Sequence, residues 1–160
     1  MLGRTYDTEI CSMTRALEIA GERWSFLILR NAIFAGLTRF SEFQRSLDIA
    51  PNILATRLEN FVQEGIMINS KGDSSEHSEY RLTSKGLDFK PVIMALREWG
   101  DRWAAPEGPP VVVEHEGCGG RVELRLVCKK CEATPKLKDV VARPTKSYAV
   151  YERQLSKRKI

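Results

Sequence analysis

Residues 39–58 read RFSEFQRSLDIAPNILATRL. Phe40, Phe43 and Leu47 recur at helical spacing, which predicts a helix of about two turns. The turn Asp48-Ile49-Ala50 follows, and Pro51 stands at the first position of the next helix, where its fixed φ and missing N–H donor do no harm. On that second helix Leu54, Leu58, Phe61 and Val62 fall on one side at about 100° per residue. Asn52, Thr56, Glu59 and Gln63 fall on the other. One face is core, and the opposite face meets something wet.

Working outward, residues 11–34 carry two helical patterns divided by Gly21, and Gly36 ends the second. Gly65 closes the helix that starts at Pro51; IMIN (66–69) and EYRL (79–82) then pair as a hairpin across SKGDSSEHS. Thr83 caps a further helix, interrupted at Pro91, whose second half sets Val92, Leu96, Trp99 and Trp103 along one stripe. Helix, tight turn, helix and two-stranded hairpin is the order of a winged helix-turn-helix, in which the second helix enters the DNA major groove. The fold class expected is therefore mainly α with a small β wing. Asn52 and Thr56 are the candidates for base edges, being short and polar near the N-terminal end of the recognition helix, 51–64. Arg39 and Arg57 flank that face and suit phosphates, and Ser41 and Lys71 complete the candidate DNA-binding set. On pattern alone, a helical hairpin with a merely solvated face fits the same residues.

The chain has 160 residues, enough for one domain and a small appendage. No apolar run approaches the roughly 18 residues of a membrane span, and the N-terminus lacks the marks of a secretion signal, so the cytoplasm is the expected location. A net charge of +4 and a pI near 8.9 permit an anionic partner without demanding one. No phosphate loop, no nucleophile with a partner histidine and no paired carboxylates in a plausible cleft point to catalysis, so an enzyme is not expected. AAPEGPP marks a composition break, which divides the chain into a winged-helix domain (1–105), a linker (106–112), a small β-rich module (113–144) and a basic tail (145–160).

Across residues 10–103 the sequence resembles the HxlR-type winged helix-turn-helix transcriptional regulators of bacteria and archaea. The matching stretches are Cys11, LEIAGERWSFLILR (17–30), RFSEF (39–43), APNILATRLENFVQEGIM (50–67), YRLTSKG (80–86) and ALREWGDRW (95–103). The resemblance implies a homodimer on double-stranded DNA, with dimer contacts from the first helix and the last long helix, here Leu17, Leu96, Trp99 and Trp103. The tryptophans equally suit an ordinary core. A small-molecule effector is a further partner to consider. Cys11 matches a cysteine that some members use as a redox switch, with Arg15 as the nearby cation; a small apolar interface residue is the plainer role. Two departures stand out. Ala50 replaces the serine that commonly precedes the proline and cannot cap the helix. The wing reads GDSSEHSEY, where proline and arginine are usual, so Asp73, Glu76 and Glu79 are expected to repel phosphates and leave more of the affinity to the recognition helix. That wing is the best argument for the alternative function, a winged-helix module that binds proteins or small molecules without an operator.

His115, Cys118, Cys128 and Cys131 form H-x2-C-x9-C-x2-C. Each pair can chelate through one tight turn, and the four together fit a structural zinc. A metal-free hairpin and a Cys128–Cys131 disulfide are the alternatives, and Glu132, where glycine normally follows the second pair, counts slightly against the metal. Nine residues of straight strand would hold the pairs about 30 Å apart, so a shared ion requires the chain to reverse near Glu123.

Overall fold

The computed structural model describes residues 11–71 and 78–158. In chain order the elements are α1 (Ser12–Ala20), α2 (Arg23–Phe34), α3 (Phe40–Leu47), α4 (Pro51–Gln63), β1 (Met67–Lys71), β2 (Ser78–Leu82), α5 (Ser84–Leu87), α6 (Lys90–Trp103) and α7 (Lys146–Arg158). Two compact units are present: Ile19–Val112, and the described residues through Glu18 together with those from Val113 onward.

The core of the first unit forms where the apolar stripes of α2, α3 and α4 meet. Ile28, Leu29, Phe43, Leu54 and Leu58 are fully buried there, with Phe61, Ile66 and Met67 nearly so. Burying side chains of this size contributes about 1.5–3 kcal/mol each and dominates the stability of the bundle. A buried amide fixes α3 on α2: Asn31 Nδ2 donates to Ser46 Oγ at 2.9 Å, and the Asn31 carbonyl accepts from the Ala35 and Leu37 amides. Between α3 and α4 the chain turns at Asp48, which adopts the left-handed conformation (φ 48°) that a short polar side chain tolerates better than most. The turn drives Ile49 into the core. Ala50 makes no side-chain cap, as expected, and the first turn of α4 rests on its carbonyl, which accepts from the Ile53 and Leu54 amides at 3.0 Å.

The wing is antiparallel, with Met67 opposite Leu82 and Lys71 opposite Ser78, so both strands run slightly further toward the tip than the apolar pattern suggests. A third segment joins its edge. The Tyr80 amide donates to the Thr38 carbonyl at 2.7 Å, and Arg39 bridges to Glu79.

The stretch YRLTSKG acquires a physical account here. Thr83 Oγ1 caps α5 by accepting from the Gly86 amide and reaches back to the carbonyls of Gly65 (2.7 Å) and Ile66 (3.1 Å). Lys85 Nζ donates to the Glu64 carbonyl at 2.5 Å, satisfying the orphan C-terminal end of α4. At Gly86 any Cβ would collide with the Ile66 carbonyl oxygen, so only glycine allows this approach. Pro91 falls in the first turn of α6, which is why the helix expected from Thr83 is broken into α5 and α6.

Beyond Val112, where a small β-rich module is expected, no strand is formed among the described residues. Among the described residues the only pairing there is the single bridge Glu114 to Arg121. The alternation of Val122, Leu124 and Leu126 resembles a strand, yet all three are exposed, as is Val127, and a strand with no buried face has nothing to hold a partner. The basic tail carries α7, whose KSYAVYERQLSKR contains neither glycine nor proline.

Candidate nucleic-acid interface

Helix α4 divides as its sequence predicts. Leu54 and Leu58 anchor it at 0% exposure while Asn52 and Thr56 are exposed on its first two turns. Thr56 Oγ1 donates to the Asn52 carbonyl at 2.9 Å, which commits its proton to the helix and leaves the hydroxyl oxygen as an acceptor. Thr56 is thereby suited to accept a hydrogen bond or to meet a thymine methyl, while Asn52 keeps both donor and acceptor. Ser41 is exposed in the first turn of α3.

The two arginines separate. Arg39 is about half exposed at the start of α3, with its Nε 3.7 Å from Glu79 Oε1. Arg57 lies lower: its side chain is 15% exposed, Nη2 is 2.9 Å from Glu22 Oε2, and Nε is buried without a hydrogen-bond partner. The guanidinium expected to contact phosphate is thus engaged inside the domain, between α4 and the start of α2.

Glu79 differs from its sequence reading for a related reason. It is 9% exposed, not presented on an acidic wing, and Arg81 donates to its Oε2 through Nε (3.1 Å) and Nη2 (2.6 Å). With Arg39 on the other oxygen, its charge is compensated and cannot repel phosphates as expected. Asp73, Glu76 and His77 lie outside the described residues, as does the Lys71 side chain, whose backbone ends β1.

Glu42 supports the site without having been singled out. Its Oε2 accepts from the backbone amides of Arg39 (2.9 Å) and Thr38 (3.1 Å), and these bonds, that from Arg39 foremost, hold its carboxyl below the usual range. Arginine has no acceptor to return the bond, so this is the second half of a capping box alone. The spacing Arg39-x-x-Glu42 carries the signal.

On α6, Trp99 and Trp103 are 62% and 70% exposed, with Leu96 and Val92 also exposed along the same stripe. The core reading of the tryptophans is therefore excluded within this chain. Leu17 and Cys11 on the N-terminal segment are exposed too. None of the four cysteines is in a disulfide.

In the C-terminal segment His115 Nδ1 lies 3.4 Å from Cys118 Sγ. The Cys128 thiol is pulled below its ordinary range by the backbone amides of Cys131 and Lys130 and by the Cys131 side chain. Each pair is assembled, but among the described residues no three His, Cys, Asp or Glu side chains gather as one cation site.

The sequence profile of the HxlR-like helix-turn-helix family matches residues 19–108, more than half of the chain. Among curated proteins, Rv3095 of Mycobacterium tuberculosis (strain ATCC 25618 / H37Rv), named an uncharacterized HTH-type transcriptional regulator, is 40% identical over 136 residues, covering 83% of this chain and 85% of the relative. Among solved structures, PA1607, described as a candidate transcription factor, is 38% identical with a TM-score of 0.78, covering 85% of this chain and 96% of that one. PA1374 from Pseudomonas aeruginosa, described likewise, is 36% identical with a TM-score of 0.61, covering 89% and 99%. With the helix-turn-helix, its wing and these likenesses in agreement, the chain belongs to the HxlR-like helix-turn-helix family of transcriptional regulators.

Proposed function

We propose that this regulator binds operator DNA as a homodimer in the cytoplasm, with α4 in the major groove and the wing beside it. The observation that carries the reading is the division of α4, whose inward residues are fully buried while Asn52 and Thr56 are exposed at its N-terminal end. Asn52, Thr56 and Ser41 read or position, and Arg39, which keeps half its side chain in solvent, takes phosphate. The exposed Leu96, Trp99 and Trp103 supply the apolar, aromatic surface that a two-fold interface needs. The compensation of Glu79 by Arg39 and Arg81 removes one of the acidic groups that favoured a module without DNA contact.

A mobility-shift titration with DNA from upstream of the chain's own coding sequence tests this. Retardation of one fragment over unrelated DNA, with half-sites about one helical turn apart, is expected. Equal binding to every fragment, or none at low salt, would move the function to protein or small-molecule recognition.

A further inference from the structure

The two Cys/His pairs share one backbone design. At the first, the Gly119 amide donates to the His115 carbonyl (2.8 Å) and the His115 amide to the Gly120 carbonyl (2.8 Å). At the second, the Glu132 amide donates to the Cys128 carbonyl (2.8 Å) and the Cys128 amide to the Ala133 carbonyl (2.9 Å). Residues i and i+5 are thus tied in both turns, and residue i+4 is left-handed in both: Gly119 at φ 68° and Glu132 at φ 57°. For glycine that conformation is free. For glutamate it is a strained state that something must maintain, and the sequence objection to Glu132 disappears because the residue adopts the glycine-like geometry. A turn of this form sets side chains i and i+3 on one side of the chain, the placement two ligands of one ion require. Space is kept clear as well: a Cβ on Gly120 would sit 3.3 Å from Cys118 Sγ, and one on Gly117 3.3 Å from His115 Cε1.

A second observation is independent of the turns. Among the described residues from Val113 onward, none is buried; Val122, Leu124, Leu126, Val140 and Val141 all lie in solvent. A segment of this size without a core needs another source of order, and a structural metal is one that small modules use.

We propose that His115, Cys118, Cys128 and Cys131 of one chain bind a single structural zinc ion, the two turns acting as preformed halves that the metal closes on each other. The donor set, one imidazole and three sulfurs, suits a borderline-soft tetrahedral ion and leaves no position open for a substrate. On binding, three thiols lose their protons to solvent and the imidazole binds as the neutral base. The assembled site then carries a net charge of −1, beside the exposed Lys129 and Lys130.

The test uses the full chain, purified without a histidine tag. Elemental analysis should find about one zinc per chain, lost in both Cys118→Ser and Cys128→Ser and retained in Cys11→Ser. Because those serine variants could lose the metal by unfolding, cobalt is titrated into the chelated wild-type chain in parallel. Sulfur-to-cobalt charge transfer and tetrahedral d–d bands saturating at one equivalent support the site. Free thiols with no zinc and no such bands overturn it. So does zinc at half an equivalent per chain, which would mean an ion shared between two copies, or zinc that survives Cys118→Ser.

Discussion

Arg57 Nη2 lies 2.9 Å from Glu22 Oε2, and this pair ties the middle of α4 to the residue that precedes α2. The glutamate remains largely in solvent while the guanidinium is mostly covered. Its removal should therefore act on the seating of α4 before it acts on charge. Arg57→Ala is expected to lower stability by about 1 kcal/mol, an exposed-pair value raised by the lost packing of the arginine stem. The slope of log K against log salt should be that of the parent. A slope reduced by about one phosphate would instead return Arg57 to the DNA contacts.

The base contacts are tested by Thr56→Ala and Asn52→Ala, scored against a set of operators varied one base pair at a time. Each should flatten preference at one position, with about 1–3 kcal/mol of discrimination lost there. Uniform weakening across the whole set would place both residues on the backbone and not on base edges.

Assembly should depend on the α6 stripe. Sedimentation of the Trp99→Ala, Trp103→Ala double variant is expected to give a monomer with an unchanged helical spectrum, since neither side chain belongs to this chain's own core. A dimer of parental affinity would remove α6 from the interface.

Glu42 provides a pH signature. Its folded pKa is below the ordinary 4.5, so the carboxylate stabilises the fold above that pH and the contribution is lost as pH falls through the folded value. Denaturant unfolding should show Glu42→Gln destabilised by about 0.3–1 kcal/mol at neutral pH, the charge-assisted part of a cap whose hydrogen bonds the amide oxygen can still accept, with the gap to the parent closing in acid. A gap independent of pH would mean that the amide loses packing and not a charged cap.

The sequence was most legible where structure depends on near neighbours. Pro51, Leu54 and Leu58 locate α4 through a backbone rule and a period, and both hold without knowledge of the rest of the fold. What could not be read was pairing at a distance. Nothing local to Arg57 reveals that Glu22, thirty-five positions earlier, holds it, and nothing in GDSSEHSEY shows that Glu79 turns inward between two arginines. Beyond Val112 the alternation of Val122, Leu124 and Leu126 forms no strand among the described residues, because period alone specifies one only where a face has something to pack against. At Glu132 residue type was no guide to backbone conformation: a residue unsuited to the left-handed region occupies it nonetheless.

The anchoring of Thr83, Lys85 and Gly86 on residues 64–66 has a mechanical consequence. The rear of α4 and the exit of β2 are fastened at one knot, so the helix and the wing base move as a single lever and not as two fingers. Any displacement of one of them should carry the other with it. In the homodimer proposed above, the freedom to fit operators of different spacing would then be left to whatever joins the two copies.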